Sequence, residues 1–238
     1  VDTIRDRIAD ERARFGEGGV EIDATFDAAG SETNGLSLKR ALDRVREEAE
    51  AAIKGGAEHL FLTDEHQGAG RAAIPSALAV SAVHSHLAST GWRSFCSLNV
   101  RSGEVLDPHS LALLIGAGAT TVSPYLAFEA LAERHERGLF GDTSLGECVL
   151  NYKAALEGGL MKIMARLGIS IVSSYRGGLL FEAIGLSRAL VDEFFPGVSS
   201  RISGIGLKGL ERRLIAANTE GWIAPESPPR PGGFYGVR

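Results

Sequence analysis

The residues with chemistry to offer lie in two short polar runs, each directly after an apolar stretch. The first is Asp64-Glu65-His66-Gln67, which follows His59–Thr63. A carboxylate beside an imidazole can bind a metal or move a proton near neutral pH. The plainer alternative has Asp64 capping the next turn while Glu65 and His66 face water. The second run is Ser173-Ser174-Tyr175-Arg176-Gly177-Gly178. Backbone amides of a glycine-rich turn at the start of a helix, with Ser174 and the Arg176 guanidinium, suit a phosphate or carboxylate. Its alternative is a tight turn whose arginine pairs with a neighbouring acid.

Other candidates are weaker by geometry. His84 and His86 are separated by one residue, about 200° apart on a helix, and do not converge on one metal. Gly204-x-Gly206-x-x-Gly209 has the letters of a dinucleotide-binding turn, but no buried strand is predicted before it. There is no Gly-x-Ser-x-Gly elbow and no Walker loop. Cys96 and Cys148 are the only cysteines, which rules out a disulfide framework, a Cys₄ zinc site or a three-cysteine iron–sulfur site within this chain.

The elements that must position these groups alternate in kind. Apolar runs predict strands over Val20–Phe26, His59–Thr63, Ser94–Val100, Thr120–Ser123 and Ile169–Ser173. Between them, helices are predicted over Leu36–Ile53, Pro75–Ser89, Pro108–Ile115, Leu126–Arg137 and Leu145–Leu167, the last interrupted at Gly158-Gly159 by a kink or a two-helix junction, and a final one over Leu179–Ile184. Such alternation implies parallel pairing with right-handed crossovers, hence an α/β fold. Five strands are too few for a complete eight-stranded barrel. The predicted architecture is an incomplete or degenerate barrel-like parallel sheet with flanking helices, the alternative an open doubly wound sheet.

A parallel sheet sends its strand ends to one edge, so the Asp64 and Arg176 loops are expected to open together, near Asn99 and Tyr125. Leu42, Leu62, Val80, Leu98, Leu113, Val122, Ile163 and Ile171 fall on inward positions and are expected in the core. Residues 1–218 form one α/β domain, with residues 1–19 as an N-terminal helical arm. Residues 219–238, which include Pro225, Pro228, Pro229 and Pro231, read as a Pro-rich tail or linker.

The chain has 238 residues, 44% of them apolar and 23% charged, values of an ordinary folded protein and not of a disordered one. A net charge of −5 without a basic block argues against nucleic acid as a partner. The longest apolar stretches are far short of the ~20 residues that span a bilayer, and no signal-peptide pattern opens the sequence. A reducing, cytoplasmic setting is expected.

Read in order, the segments resemble the central domain of the glutamate synthase large subunit. The resemblance rests on Leu62-Thr63-Asp64, Arg71, Ile74-Pro75 and Leu78 through Leu87, then His109, Ala112–Gly116 and Pro124-Tyr125-Leu126-Ala127. It continues through Asn151-Tyr152, Gly159 to Met164, Gly168-Ile169-Ser170, Ser174-Tyr175-Arg176-Gly177, Phe181-Glu182-Ala183, Gly185-Leu186 and Ser200-Arg201-Ile202. It covers roughly residues 20 to 210 in one register. Glu65 stands where the family usually has arginine, Ala73 where it has proline and Ser110 where it has a second histidine.

The family enzyme makes two glutamates from glutamine and 2-oxoglutarate. An amidotransferase domain releases ammonia, and a flavin mononucleotide (FMN) barrel with an iron–sulfur cluster completes the synthesis. The resemblance implies a connector between those two domains, bordering the ammonia route. Such a connector has no catalytic residue or cofactor of its own, and its partners are the amidotransferase and FMN domains. Asp64, Arg71, Tyr125, Ser174 and Arg176 are its ligand or interface candidates. A second reading is a stand-alone α/β enzyme using the Asp64 and Arg176 loops on a small phosphorylated or carboxylated substrate. A third is a binding module for such a ligand.

Overall fold

A computed structural model describes residues 18–29 and 34–223. Residues 1–17 of the expected N-terminal arm and the prolines of the tail lie outside the described residues, and Gly19, expected in the arm, opens the first strand. In chain order the elements are β1 (Gly19–Asp23), β2 (Thr25–Asp27), α1 (Leu36–Lys54), β3 (His59–Thr63), β4 (Arg71–Ala73), α2 (Ser76–Ser89) and β5 (Ser97–Arg101). Then follow α3 (Pro108–Ala117), β6 (Thr121–Ser123), α4 (Tyr125–Glu136), α5 (Leu145–Arg166), α6 (Val172–Tyr175), β7 (Glu182–Leu186), α7 (Arg188–Phe194), β8 (Ser199–Ile205) and α8 (Leu207–Ile223).

The main sheet has four parallel strands in the order β1-β3-β5-β6. The order follows the chain and never reverses, so successive crossovers wind the same way and α1 packs on α2, and α2 on α3. A doubly wound sheet would need a reversal. This is the incomplete barrel-like sheet that the alternation predicts. One face of the sheet carries Ile22, Leu60, Leu62, Leu98 and Val100, all buried beneath the helices. The other carries cross-strand rows that are largely polar, Glu21–Phe61–Asn99–Thr121 and Asp23–Thr63–Arg101–Ser123. In α1, Leu38, Leu42, Val45, Ala49 and Ile53 recur at helical spacing and are all buried.

Several local expectations give way to packing. The alternation of Val20–Phe26 predicts one strand, but the chain turns at Ala24, and β2 leaves to pair antiparallel with β4. The Asp23 carboxylate fixes that corner by accepting from the Thr25 amide at 3.0 Å and the Thr25 hydroxyl at 2.6 Å. Ile169–Ser173 is not a strand. Gly168 closes α5 in the left-handed region (φ 73°), and the Ile169 amide turns back to the Met164 carbonyl at 3.0 Å. Ile169 then packs on a small second core of Ala112, Ile115, Leu160, Met164 and Tyr175, while Ile171 is 57% exposed. Residues 179–184, expected as a helix, lead into β7, which pairs in parallel with β8.

Of the expected core, Leu42, Leu62, Val80 and Leu98 are buried, and Val122 and Ile163 half-buried. Leu113 is 37% exposed, because α3 is apolar on nearly every side and its sequence does not mark which side faces inward. Gly158-Gly159 does not break α5, which runs without interruption from Leu145 to Arg166. Gly159 instead lets α5 approach α3: a Cβ there would lie 2.4 Å from the Pro108 ring. Helix α8 continues to Ile223, so helix occupies the first positions of the segment read as a tail.

Candidate functional site

Asp64 follows Leu62 by two residues, so the strand period carries its side chain inward, and it is 4% exposed. Its carboxylate accepts from the Ser102 hydroxyl at 2.9 Å, the Gly103 amide at 3.0 Å and the Tyr125 hydroxyl. These donors come from the loop after β5 and from the start of α4, so Asp64 ties the ends of three neighbouring strands. Burial pushes the Asp64 carboxyl above its ordinary value, and the three hydrogen bonds oppose that shift. Tyr125 is pushed up by burial and then by the Asp64 charge, and so remains a donor. The arrangement is a structural knot in which the carboxylate is already saturated.

Glu65 and His66 of the first polar run also have partners within the protein. Glu65 accepts from Arg101 Nη2 at 2.6 Å and from the Thr63 hydroxyl at 3.0 Å. His66 Nε2 is 2.9 Å from the Glu21 carboxylate. Arg71 lies on β4, where Nε donates to the Thr25 hydroxyl at 2.6 Å and Nη2 to the Asp23 carboxylate, bracing the β1–β2 corner. Among the described residues, no group of three or more His, Cys, Asp or Glu side chains is placed to hold a metal.

Beside Asp64 lies an open cleft of about 350 Å³, walled by Gln67, Glu104, Leu126, Leu214, Asn218 and Trp222. Its far wall is α8, a helix that the sequence reading did not single out. Asn218 Nδ2 donates to the Gly68 and Arg71 carbonyls at 3.0 and 3.1 Å. The spacing of Glu211, Leu214, Asn218 and Trp222 puts them on one helical face, a signal that was legible.

The carboxyl edge of the sheet is also where α1, α2 and α3 begin, and each start is closed by a carboxylate of the protein itself. Glu211 accepts from the Gly35 and Leu38 amides, both at 2.8 Å, at α1. Glu104 accepts from the Ser76 amide and hydroxyl at 2.7 and 2.6 Å at α2. Asp107 accepts from the Ser110 amide at 2.7 Å at α3. An open helix start can hold a phosphate, and these three are closed.

Ser174 and Arg176 do not join this edge. Gly177 and Leu179 donate to the Ile115 and Gly116 carbonyls at the end of α3, both at 3.1 Å, which puts their loop at the amino edge of the sheet. The expectation that the Asp64 and Arg176 loops open together is therefore overturned. With no strand over Ile169–Ser173, nothing carries the chain across the sheet. Ser174 is exposed, and Arg176 is partly buried, near enough to Arg93 for its charge to act there, and followed by Gly177, which packs on the His84 ring.

A strand does precede Gly204-x-Gly206-x-x-Gly209, namely the exposed β8. Gly204 is needed because a Cβ would lie 2.1 Å from the Gly185 carbonyl oxygen on β7. The first turn of α8 abuts Gly35, whose Cβ would lie 2.9 Å from the Lys208 nitrogen. That contact leaves no room for a pyrophosphate.

The glutamate synthase central domain family model matches residues 6–187. The glutamate synthase [NADPH] large chain of Azospirillum brasilense is 52% identical over 227 residues, 95% of this chain and 15% of that one. The glutamate synthase [NADH] of Saccharomyces cerevisiae is 35% identical over 85% of this chain and 10% of its own length. Ferredoxin-dependent glutamate synthase 2 of Synechocystis is 34% identical over 90% of this chain and 15% of its own. The chain thus spans only a small fraction of these relatives. A crystal structure of ligand-free type DHODH from Eimeria tenella aligns with 67% of this chain and 39% of its own, at 17% identity and a TM-score of 0.41, too distant to bear on fold or function. The family match and the curated relatives agree along most of the sequence: the chain belongs to the glutamate synthase central domain family.

Proposed function

We propose that this chain is the non-catalytic connector of a cytoplasmic glutamate synthase, lying between its amidotransferase and FMN domains and bordering the ammonia route. The observation that carries this reading is the closure of the α1, α2 and α3 starts by Glu211, Glu104 and Asp107. Three carboxylates already take the amides at these helix starts, which closes those three starts to a flavin phosphate. These three acid-capped starts do not suit the FMN phosphate. Two cysteines cannot supply an iron–sulfur site that needs three or more thiolates.

Apolar groups left on the outside support a role among other domains. Ile184 and Ile202, paired across β7 and β8, are 67% and 61% exposed, and Leu150 and Met161 share an exposed face of α5. Such patches suit burial against further parts of a long polypeptide.

The test is a titration of the 238-residue chain with FMN, following flavin fluorescence. No saturable quenching is expected. Saturable quenching at micromolar chain would overturn the connector and favour a stand-alone flavin enzyme.

A further inference from the structure

We propose that the amino edge of the sheet carries an oxyanion site, in which Arg176, His84 and Arg93 receive a carboxylate or phosphate group. This inference is independent of the connector reading and concerns the opposite edge of the sheet.

The argument starts from a charge imbalance. Arg93 spends its guanidinium on neutral acceptors: Nε donates to His84 Nδ1 at 2.9 Å, and Nη1 and Nη2 to the Cys96 and Gly118 carbonyls, both at 2.8 Å. Three of its five N–H groups are met by neutral acceptors, and no carboxylate among the described residues meets its charge. Arg176 is near enough for its charge to act on Arg93, and its buried Nε has no hydrogen-bond partner. Among the described residues, neither guanidinium is in an ion pair with a carboxylate. A buried guanidinium N–H without an acceptor is costly and is ordinarily satisfied.

His84 adds a third donor. Its Nδ1 accepts from Arg93, so the ring is neutral and carries its proton on Nε2. Glycines on both sides hold the ring: a Cβ on Gly118 would lie 2.3 Å from it, and one on Gly177 would lie 2.8 Å from Nε2. Both glycines have positive φ, 123° and 69°, so the backbone is shaped to pass against the imidazole. The cluster therefore offers a guanidinium fork and an imidazole N–H, with an added positive charge; its one acid is the Cys96 thiol, which burial pushes up, and no carboxylate pairs with it among the described residues. Oxyanions match that set in charge and in planar, multidentate acceptance.

The test uses the 238-residue chain with sodium phosphate, sodium malonate and sodium chloride at equal ionic strength. The readouts are the ¹H–¹⁵N signal of His84 Nε2 and the melting temperature. Phosphate or malonate is expected to move the His84 signal along a saturable curve in the millimolar range or tighter, while chloride gives only a linear drift. Whichever of the two saturates at lower concentration identifies phosphate or carboxylate as the preferred group. Arg176→Gln is expected to weaken the saturable response tenfold or more, and Arg176→Lys less, because lysine keeps the charge but loses the fork. A wild-type response indistinguishable from chloride would overturn the site, as would an undiminished response in Arg176→Gln.

Discussion

Glu211 reaches from α8 to the first turn of α1, where Oε2 accepts from the Leu38 amide at 2.8 Å while Oε1 takes the Gly35 amide. The side chain is completely buried, so one carboxylate both caps a helix and anchors the last described helix to the first. Glu211→Ala leaves two buried amides without partners and should cost about 2–4 kcal/mol. That loss should lower the melting temperature on the order of 5–10 °C. Glu211→Gln should recover only part of it, because its NH₂ group faces an amide donor. Thermal unfolding by circular dichroism measures both.

The Asp64 knot predicts a pH dependence with a definite sign. Burial raises the folded-state value of Asp64 above its ordinary 3.8, so the folded protein binds more protons than the unfolded chain just above that pH. Stability from this group therefore falls as pH rises from about 4 through the raised value. In urea denaturation, the advantage of wild type over Asp64→Asn should shrink across that window. Tyr125→Phe removes one donor, should raise Asp64 further, and should cost about 1–3 kcal/mol.

His84 carries the opposite sign. Burial, and then the Arg93 charge, lower it from 6.5 to about 4, so the unfolded chain binds the extra proton between those values. Stability from His84 is present above pH 6.5 and is lost as pH falls toward about 4. Melting temperatures between pH 7 and 4 should show this slope, and His84→Gln should flatten it.

The two adjacent glycines of α5 should respond oppositely to alanine. A Cβ on Gly158 meets nothing within 4 Å, and helix propensity alone favours Gly158→Ala by roughly 0.5–1 kcal/mol. A Cβ on Gly159 would lie 2.4 Å from Pro108, and Gly159→Ala should cost about 1–3 kcal/mol through separation of α3 and α5. Chemical denaturation of the two single variants decides the pair.

The sequence by itself determined what depends on local periodicity. The helical spacing of Leu38, Leu42, Val45, Ala49 and Ile53, and the apolar run at His59–Thr63, specify their elements because one face of each must leave water. Their alternation specifies the α/β class, and the ordered motifs specify the family. Tertiary structure alone decided what an apolar stretch packs against. Ile169–Ser173 has the letters of a strand but serves a helix-packed second core, so the Arg176 loop lies at the amino edge instead of beside Asp64. It also decided which acids close which helices. Glu211 and the Gly35 amide are 176 positions apart. A carboxylate can cap any helix start that packing brings within hydrogen-bond reach, and sequence spacing records no such distance.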